Sequence, residues 1–452
     1  MIRLFKLNFF SIVLLFAIWG SLDSNIVSLL SIFSSSSIFL FVKLFSILRA
    51  LSPYVIFIIF ICFFYKRLSF RTSSRNLNFI LIILALNFLI QLIASFVYQE
   101  NTLLNNSNLI LLSIISLTFF VFEFNLNNSK KILIFSWVVL FLIFMWFSAI
   151  MFLWYFSDKN MVANLYHGWP SSFQTIENLT ENIPRSSGIG RSALILAMPI
   201  MLSLLIRKKI NILLYFFYNY SFFIMIATQS RIVLLGFFLF SCAVIFYLIT
   251  LKKEPILKIK KICLIILIPI IFSVTIISIK SLQLDNNNTL KINSVNDYSK
   301  DSKDSNIKKF LRPTDPVSFT SRRYDDWQEI LKKNNNIFLG NGMMGDRWII
   351  NQTASNLILY NYASSGIVGV FLIALLMLRS FFICSKIILF HEKKINKHNY
   401  ILLSACYIQY FLMGRSLVET SFAVFGIDFL IFFAAYFFTE EYYNKKKIKK
   451  II

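Results

Sequence analysis

The stretch that decides the fold is residues 357–378, which read LILYNYASSGIVGVFLIALLML and contain no charged residue. Its length matches the roughly 20 residues that a helix needs to cross the hydrocarbon core of a bilayer. Further apolar runs of similar length follow one another along the chain, separated by short polar stretches. The sequence therefore predicts an all-α, polytopic integral membrane protein.

The composition of the 452-residue chain supports this prediction. Hydrophobic residues make up 57% of the chain and charged residues 15%, whereas soluble domains are closer to half apolar and a quarter charged. The net charge is +24, because 45 Lys and Arg stand against 21 Asp and Glu. Cytoplasmic loops of membrane proteins accumulate Lys and Arg, so the excess does not require nucleic acid, and we expect none as a partner.

Orienting the apolar runs by their Lys and Arg clusters predicts about twelve transmembrane helices. Residues 1–280 would hold helices one to nine, with a first outer loop at 157–187. Residues 281–356 would form one large outer loop, in which an amphipathic helix ending near Lys333 is followed by a glycine-rich turn. Residues 357–452 would hold helices ten to twelve and a basic cytoplasmic tail.

Residues 26–48 are the ambiguous part of this topology. They are apolar enough to insert, yet they are rich in serine, contain Lys43 and are followed directly by Arg49. Counting them as a span would place the basic cluster at residues 66–75 outside, against the positive-inside rule. We therefore favour an interfacial or re-entrant segment there.

Arginines on the outer side are the strongest candidates for chemistry, because the positive-inside rule does not call for them. Guanidinium groups bind phosphate oxygens in a planar, bidentate manner, so several of them converging on one face would form a diphosphate site. For any one of them alone, snorkelling to the interface is the ordinary alternative. The candidates are Arg185, Arg191, Arg231, Arg322, Arg323, Arg347 and Arg415, the last followed by Glu419.

Four short motifs contain or follow these arginines in a fixed order between about residues 180 and 420. They are Arg185 with Gly188; Ser230 with Arg231 in TQSRIVLLG; Arg323 with Trp327, Gly340 and Gly342; and Asn356 with Leu359, Gly366 and Gly369 in SNLILYNYASSGIVG. Together they resemble the Wzy-type O-antigen polymerase and O-antigen ligase superfamily. These are membrane glycosyltransferases that act on undecaprenyl-diphosphate-linked sugars at the outer face of the bacterial inner membrane.

The resemblance implies a GT-C-like, multi-pass inner-membrane enzyme that needs no metal and no cofactor. Its substrate would be an undecaprenyl-diphosphate-linked oligosaccharide, and a chain-length-regulating co-polymerase is an expected partner. Ser355 stands where the ligases have histidine, which favours a polymerase that transfers the growing glycan onto a new lipid-linked repeat unit. The predicted catalytic residues are Arg231, Arg323, Arg191, Arg415 and Glu419, and the predicted substrate-binding residues are Arg185, Arg322, Trp327 and Asn356.

Several roles stay open at the level of sequence. The proton acceptor is Asp325, Asp326, Glu419 or, less favoured, His167, yet the aspartates also fit a solvated helix face. Glu419 also fits an ion pair with Arg415, and Trp327 also fits a packing anchor. The glycines at 340, 342 and 345 are expected to permit a tight turn, and those at 366 and 369 a close helix approach.

Two other functions compete with the polymerase. The first is an O-antigen ligase, which Ser355 disfavours. The second is a lipid-linked oligosaccharide flippase, a transporter of similar size that usually lacks a long structured outer loop. Residues 281–356, with their Arg, Trp and Gly content, favour an enzyme.

Overall fold

A computed structural model describes residues 75–98, 126–157, 186–206, 211–227, 230–252, 263–273, 275, 323–334, 336–350, 354, 356–391, 400–422 and 427–451. Within these ranges the regular elements are helices and no strand occurs, which confirms the all-α prediction. Residues 26–48, His167, Arg185, Arg322 and Ser355 lie outside the described residues.

The helices follow one another as α1 Arg75–Tyr98, α2 Leu126–Ser157, α3 Ser186–Ile206, α4 Ile212–Ala227, α5 Arg231–Lys252, α6 Cys263–Ser273, α7 Arg323–Lys333, α8 Gly345–Ile350, α9 Leu357–Lys386, α10 Tyr400–Ser416 and α11 Ile427–Ile451. A π-helical turn, Ile387–His391, continues α9. The described residues contain one helical stretch long and apolar enough to cross a bilayer, Leu357–Leu389, together with shorter apolar helices. The twelve-span topology stays a prediction.

The chain divides into two compact units. Unit one contains α1, the first part of α2, α7, α8, α9, α11 and α10 from Leu402 onwards. Unit two contains the rest of α2 with α3, α4, α5 and α6. The division places helices from the beginning and the end of the chain in the same unit.

Unit two is organised around α3, whose residues from 192 to 199 are all buried. Helix α4 packs along α3, where the Tyr218 hydroxyl approaches the Met201 sulfur at 3.7 Å. The Tyr220 hydroxyl donates a hydrogen bond to Ser148 Oγ at 2.9 Å and so ties α4 to α2. In the described part of unit two, α4 is thus linked to both α3 and α2.

Unit one has a polar layer inside its apolar core. Glu440 of α11 is fully buried and receives two hydrogen bonds from Arg379 of α9, of 2.7 Å from Nη2 and 3.3 Å from Nε. The Tyr436 hydroxyl donates to the same carboxylate at 2.9 Å. Beside this pair, Gln409 of α10 accepts from Ser380 Oγ at 2.7 Å and donates to Thr439 Oγ1 at 3.1 Å. These contacts join α9, α10 and α11. The pairing with Arg379 is what allows the Glu440 carboxylate to be buried, since an unpaired buried charge is costly.

Replacing Glu440 with Gln should destabilise unit one. We expect a loss of about 3 kcal/mol, the lower end of the range for breaking a buried ion pair, because Arg379 keeps a third of its side chain exposed. Thermal or denaturant unfolding of the purified protein in detergent measures the change.

Glu329→Gln is the matched control, since Glu329 pairs with Lys333 on an exposed face of α7. An exposed pair of this kind is worth about 0–1 kcal/mol. Equal effects of the two substitutions would show that the pair of Arg379 and Glu440 does not support the core.

Candidate functional site

The glycine-rich turn of the large loop is built into α9. Helix α9 is interrupted at Gly366, whose φ of 63° and ψ of −160° fall in a region that only glycine adopts readily. The turn fills the interruption through three backbone hydrogen bonds: Asn341 N–H to the Ala363 carbonyl at 2.7 Å, Gly342 N–H to the Ser364 carbonyl at 3.1 Å, and Ile367 N–H to the Ile337 carbonyl at 2.8 Å. The turn therefore satisfies the polar groups that an interrupted helix leaves without partners.

Glycine is required at both sides of this contact. A Cβ atom at Gly366 would lie 2.2 Å from the Phe338 carbonyl oxygen, and one at Gly340 would lie 2.6 Å from the backbone of residues 364–366. Gly342, with a φ of 88°, would meet the backbone nitrogen of Ser95 at 2.5 Å. The expected tight turn is confirmed at Gly340 and Gly342, and the close approach at Gly366 is to this turn and not to another helix. The turn, residues 336–344, and the interruption of α9 thus form one interlock.

A polar stripe on α1 holds the interlock from the other side. Asn87 Nδ2 donates to Asn361 Oδ1 at 3.2 Å, Gln91 Nε2 donates to Ser365 Oγ at 3.1 Å, and Ser95 Oγ accepts from the Met343 amide at 2.7 Å. The sequence-based predictions did not include this stripe. Its signal was present, since polar residues four apart in an apolar run share one helix face.

The chain changes direction at Gly366. Asn87 bonds Asn361 before the interruption, and a Cβ at Gly369 after it would lie 2.9 Å from Asn87 Oδ1. Eight residues of a straight helix span about 12 Å, so one asparagine side chain could not contact both positions. The two halves of α9 therefore pack against the same part of α1.

Three asparagines make the turn rigid from within. Asn334 Nδ2 donates to the Tyr362 carbonyl at 3.0 Å, Asn341 Nδ2 donates to Asn334 Oδ1 at 3.1 Å, and Asn336 Nδ2 donates to Asn341 Oδ1 at 3.2 Å. The same Asn334 oxygen accepts from the Asn336 amide at 3.2 Å. Their polar groups are turned towards each other and towards α9.

Asp346 fixes α8 to the beginning of α9. Its side chain is fully buried, and its Oδ2 accepts a hydrogen bond from the Ala354 amide at 2.6 Å. Ala354 packs with Ile330 and Tyr360 in a small apolar core shared by α7, α8 and α9. Burial raises the pKa of the Asp346 carboxyl above its usual range, while the hydrogen bond from Ala354 acts in the opposite direction.

The structure brings Asn356, Arg415 and Glu419 together at one end of unit one. Asn356 caps α9, accepting from the Ile358 amide at 2.7 Å, and its Nδ2 donates to the Leu417 carbonyl at 2.8 Å. Arg415 is buried and forms an ion pair with Glu419, as one of the two alternatives predicted. Three residues predicted to bind substrate or to act in catalysis therefore lie close together, and their contacts described here are with each other or with the backbone.

Two partners of Arg415 were not predicted. Its Nη1 donates to Asp428 Oδ2 at 3.0 Å and to Ser421 Oγ at 2.8 Å. Asp428 lies in the first turn of α11. A carboxylate there is common because it interacts favourably with the helix dipole, so the sequence alone does not mark Asp428 as a partner of Arg415. With two carboxylates around one guanidinium, a phosphate at Arg415 would have to displace one of them.

The remaining predicted residues are distributed over both units. Arg231 begins α5 and Arg191 lies on α3, both in unit two, while Arg323 begins α7 and Trp327 lies half-buried on it, in unit one. The side chains of Arg231, Arg323 and Asp325 lie outside the described part of the structure. Within the described residues, no cluster of His, Cys, Asp or Glu has the arrangement of a metal site.

No protein-family model matches the chain, and no curated protein or solved structure is significantly similar to it. The resemblance to the O-antigen polymerases therefore rests on the residues of the four motifs.

Replacing Gly366 with Ala should disrupt the interlock. We expect a loss of about 3 kcal/mol in the free energy of unfolding, from backbone strain and from the overlap of the new Cβ with the Phe338 carbonyl. Thermal unfolding, with limited proteolysis of residues 336–344 as a local readout, measures it.

Gly414→Ala is the matched control, because Gly414 is an exposed helical glycine of α10 with nothing within 4 Å of an added Cβ. There alanine should be neutral or stabilising by up to about 1 kcal/mol. If both substitutions behave alike, the interruption at Gly366 does not constrain the fold.

Replacing Asp346 with Asn should change how stability depends on pH. A raised pKa in the folded state means that folding favours the protonated carboxyl, so the parent gains stability as the pH falls through that pKa. The asparagine variant mimics the protonated form. It should be the more stable protein at neutral pH, and the difference should vanish below about pH 3.9, the usual pKa of aspartate.

Unfolding temperatures of the two proteins measured across this pH range test the expectation. Glu329→Gln, at an exposed carboxylate of the same loop, controls for the change in net charge. Parallel pH profiles for the parent and the Asp346 variant would contradict it.

Proposed function

We propose that the chain is a multi-pass protein of the bacterial inner membrane, with about twelve transmembrane helices and a GT-C-like fold. Helix α1 supports this placement, because it points polar side chains inward and apolar ones outward. Gln91 and Ser95 are buried together with Ile83, Leu84 and Ala94. The exposed residues are mostly apolar and include Ile82, Leu86, Leu89, Ile93, Phe96 and Val97. That is the reverse of a surface helix of a water-soluble protein, and it fits a helix that meets lipid on one face and polar neighbours on the other.

The activity we propose is that of an O-antigen polymerase acting at the periplasmic face of this membrane. One observation carries the proposal: two of the motifs on which the resemblance rests, the glycine turn of the loop and the Gly366 stretch of α9, form a single packed assembly. The turn with Gly340 and Gly342, which follows Arg323 on α7, fills the interruption of α9 at Gly366. This assembly supports both α7, which begins at Arg323, and the first turn of α9, so the two motifs share one scaffold.

The reaction is the transfer of a glycan from one lipid carrier to another lipid-linked unit. A hydroxyl oxygen of the incoming repeat unit attacks the anomeric carbon of the growing glycan, and the bond from that carbon to the diphosphate breaks. The bonding electrons leave with undecaprenyl diphosphate, and the hydroxyl proton passes to a base. The protein has to neutralise the charge that develops on the leaving group, align the hydroxyl and exclude water.

The motifs that carry the resemblance make Arg231 and Arg323 the first candidates for contact with the diphosphate, and Arg191, Arg185 and Arg322 further candidates. A well-placed donor of this kind supplies about 3 kcal/mol to the transition state. Trp327 and Asn356 are the candidates for contact with the sugar chain. Glu419, part-exposed and held by Arg415, is the carboxylate that we propose as proton acceptor.

Deleting the gene in its native strain and restoring it from a plasmid tests the proposal. A polymerase leaves flipping and ligation intact, so we expect the lipopolysaccharide ladder to collapse to core with a single repeat unit. Core alone would favour the ligase or the flippase, and an unchanged ladder would contradict the membrane glycan function altogether.

Alanine at Arg231 or Arg323 should shorten or abolish the ladder in the complemented strain. Loss of a charge-assisted hydrogen bond costs about 1.5–3 kcal/mol, which corresponds to at least a tenfold loss of polymerisation. Lys332→Ala is the control, because Lys332 is an exposed cation of the same helix as Arg323. A normal ladder from both arginine variants, at normal protein levels in the membrane, would show that the diphosphate site is elsewhere.

A further inference from the structure

The turn that fills α9 carries three exposed apolar residues in succession. Ile337, Phe338 and Leu339 expose 53%, 72% and 38% of their surfaces. Single exposed apolar side chains are ordinary, whereas a contiguous exposed group marks a surface that meets an apolar partner. The exposed side of this turn is apolar, and the protein's own described residues do not cover it.

The inner side of the same turn is polar and satisfied. The three asparagines bond each other and the Tyr362 carbonyl. The amides of Gly340, Asn341, Gly342 and Met343 all donate to protein acceptors, at 2.7 to 3.1 Å. Backbone outside regular helices is tolerated in hydrocarbon only when its polar groups are satisfied within the protein, and these four amides and the Ile337 carbonyl meet that condition.

The turn also lies at the level where the apolar surface of α9 begins. The Ile337 carbonyl accepts from Ile367, the first residue after the interruption. From there the exposed side chains of α9 begin with Ile367, Val368 and Phe371, and the run stays uncharged to Leu378, which is also exposed. On α1 the turn contacts Ser95, three residues before the helix ends at Tyr98. Both contacts place the turn at one end of the proposed membrane-spanning surface.

We propose that residues 337–339 insert into the acyl-chain region of the outer leaflet and anchor the large loop to the membrane. The partner is the hydrocarbon of the bilayer lipids. This inference rests on the membrane placement in the proposed function and is independent of the glycosyl transfer. It implies that α7 is held close to the lipid headgroups, where a lipid-linked diphosphate is located, because α7 directly precedes the turn and the next residue, Asn334, donates to the Tyr362 carbonyl of α9.

Site-directed fluorescence on the full chain tests the proposal. Single cysteines at Phe338, Leu331 and Phe371 are introduced into a parent whose five cysteines are replaced and whose size-exclusion profile is unchanged. Each is labelled with bimane and reconstituted into phosphatidylcholine and phosphatidylglycerol vesicles. Quenching is then compared for nitroxide-labelled phosphatidylcholine in the bilayer and iodide in the water.

Leu331 is the matched control, because it is as exposed as Ile337 yet is followed by the exposed Lys332 and Lys333 on α7. Phe371, exposed on the second half of α9, is the membrane reference. We expect the probe at 338 to be quenched by the lipid nitroxide like the one at 371, and the probe at 331 to be quenched several-fold more strongly by iodide.

Strong iodide quenching at 338, equal to that at 331, would overturn the anchor and leave the membrane placement intact as long as 371 responds to the lipid nitroxide. Protection of 338 from both quenchers would also overturn it, since the turn would then be covered by protein. Loss of lipid quenching at 371 as well would contradict the membrane placement itself.

Discussion

A helix that is interrupted along its length leaves carbonyl and amide groups that some other part of the chain has to satisfy, and in unit one the glycine turn of the loop does this. The turn supplies the donors for Ala363 and Ser364 and the acceptor for Ile367. The polar stripe of α1 then holds both partners in place. If any of the three were displaced, buried polar groups of the other two would lose their hydrogen bonds, which is costly away from water.

This dependence explains why residues 323–350 of the large loop belong to the same unit as α9. Its helices α7 and α8 share an apolar core with the first half of α9, and Asp346 ties α8 to Ala354. The second half of α9 joins α10 and α11 through the polar layer of Arg379 and Glu440. Residues 323–350 are therefore joined firmly to α9. In the proposed function, a ligand held by α7 would have a fixed position relative to α9, and a reaction with a good leaving group depends on such positioning.

The local part of this arrangement could be predicted from sequence. An apolar run, an amphipathic helix ending at Lys333 and a glycine-rich turn are each encoded within a few residues, and all three are present. The pairing of Asn87 with Asn361 could not be predicted, because 274 positions separate the two residues. The interruption at Gly366 was also missed, since a glycine in an apolar run does not reveal whether its φ is positive. Asn356, predicted to bind substrate, also caps α9. Arg415, predicted to be catalytic, forms ion pairs with Glu419 and Asp428.

Amide hydrogen exchange of the full chain in lipid nanodiscs tests most directly whether the turn and the interrupted helix form one unit. The interlock predicts that the amides of Asn341, Gly342, Met343 and Ile367 exchange slowly and at a common rate, close to that of the second half of α9. Rapid exchange of the three turn amides, at the rate of an unstructured peptide, with α9 still protected would contradict the account.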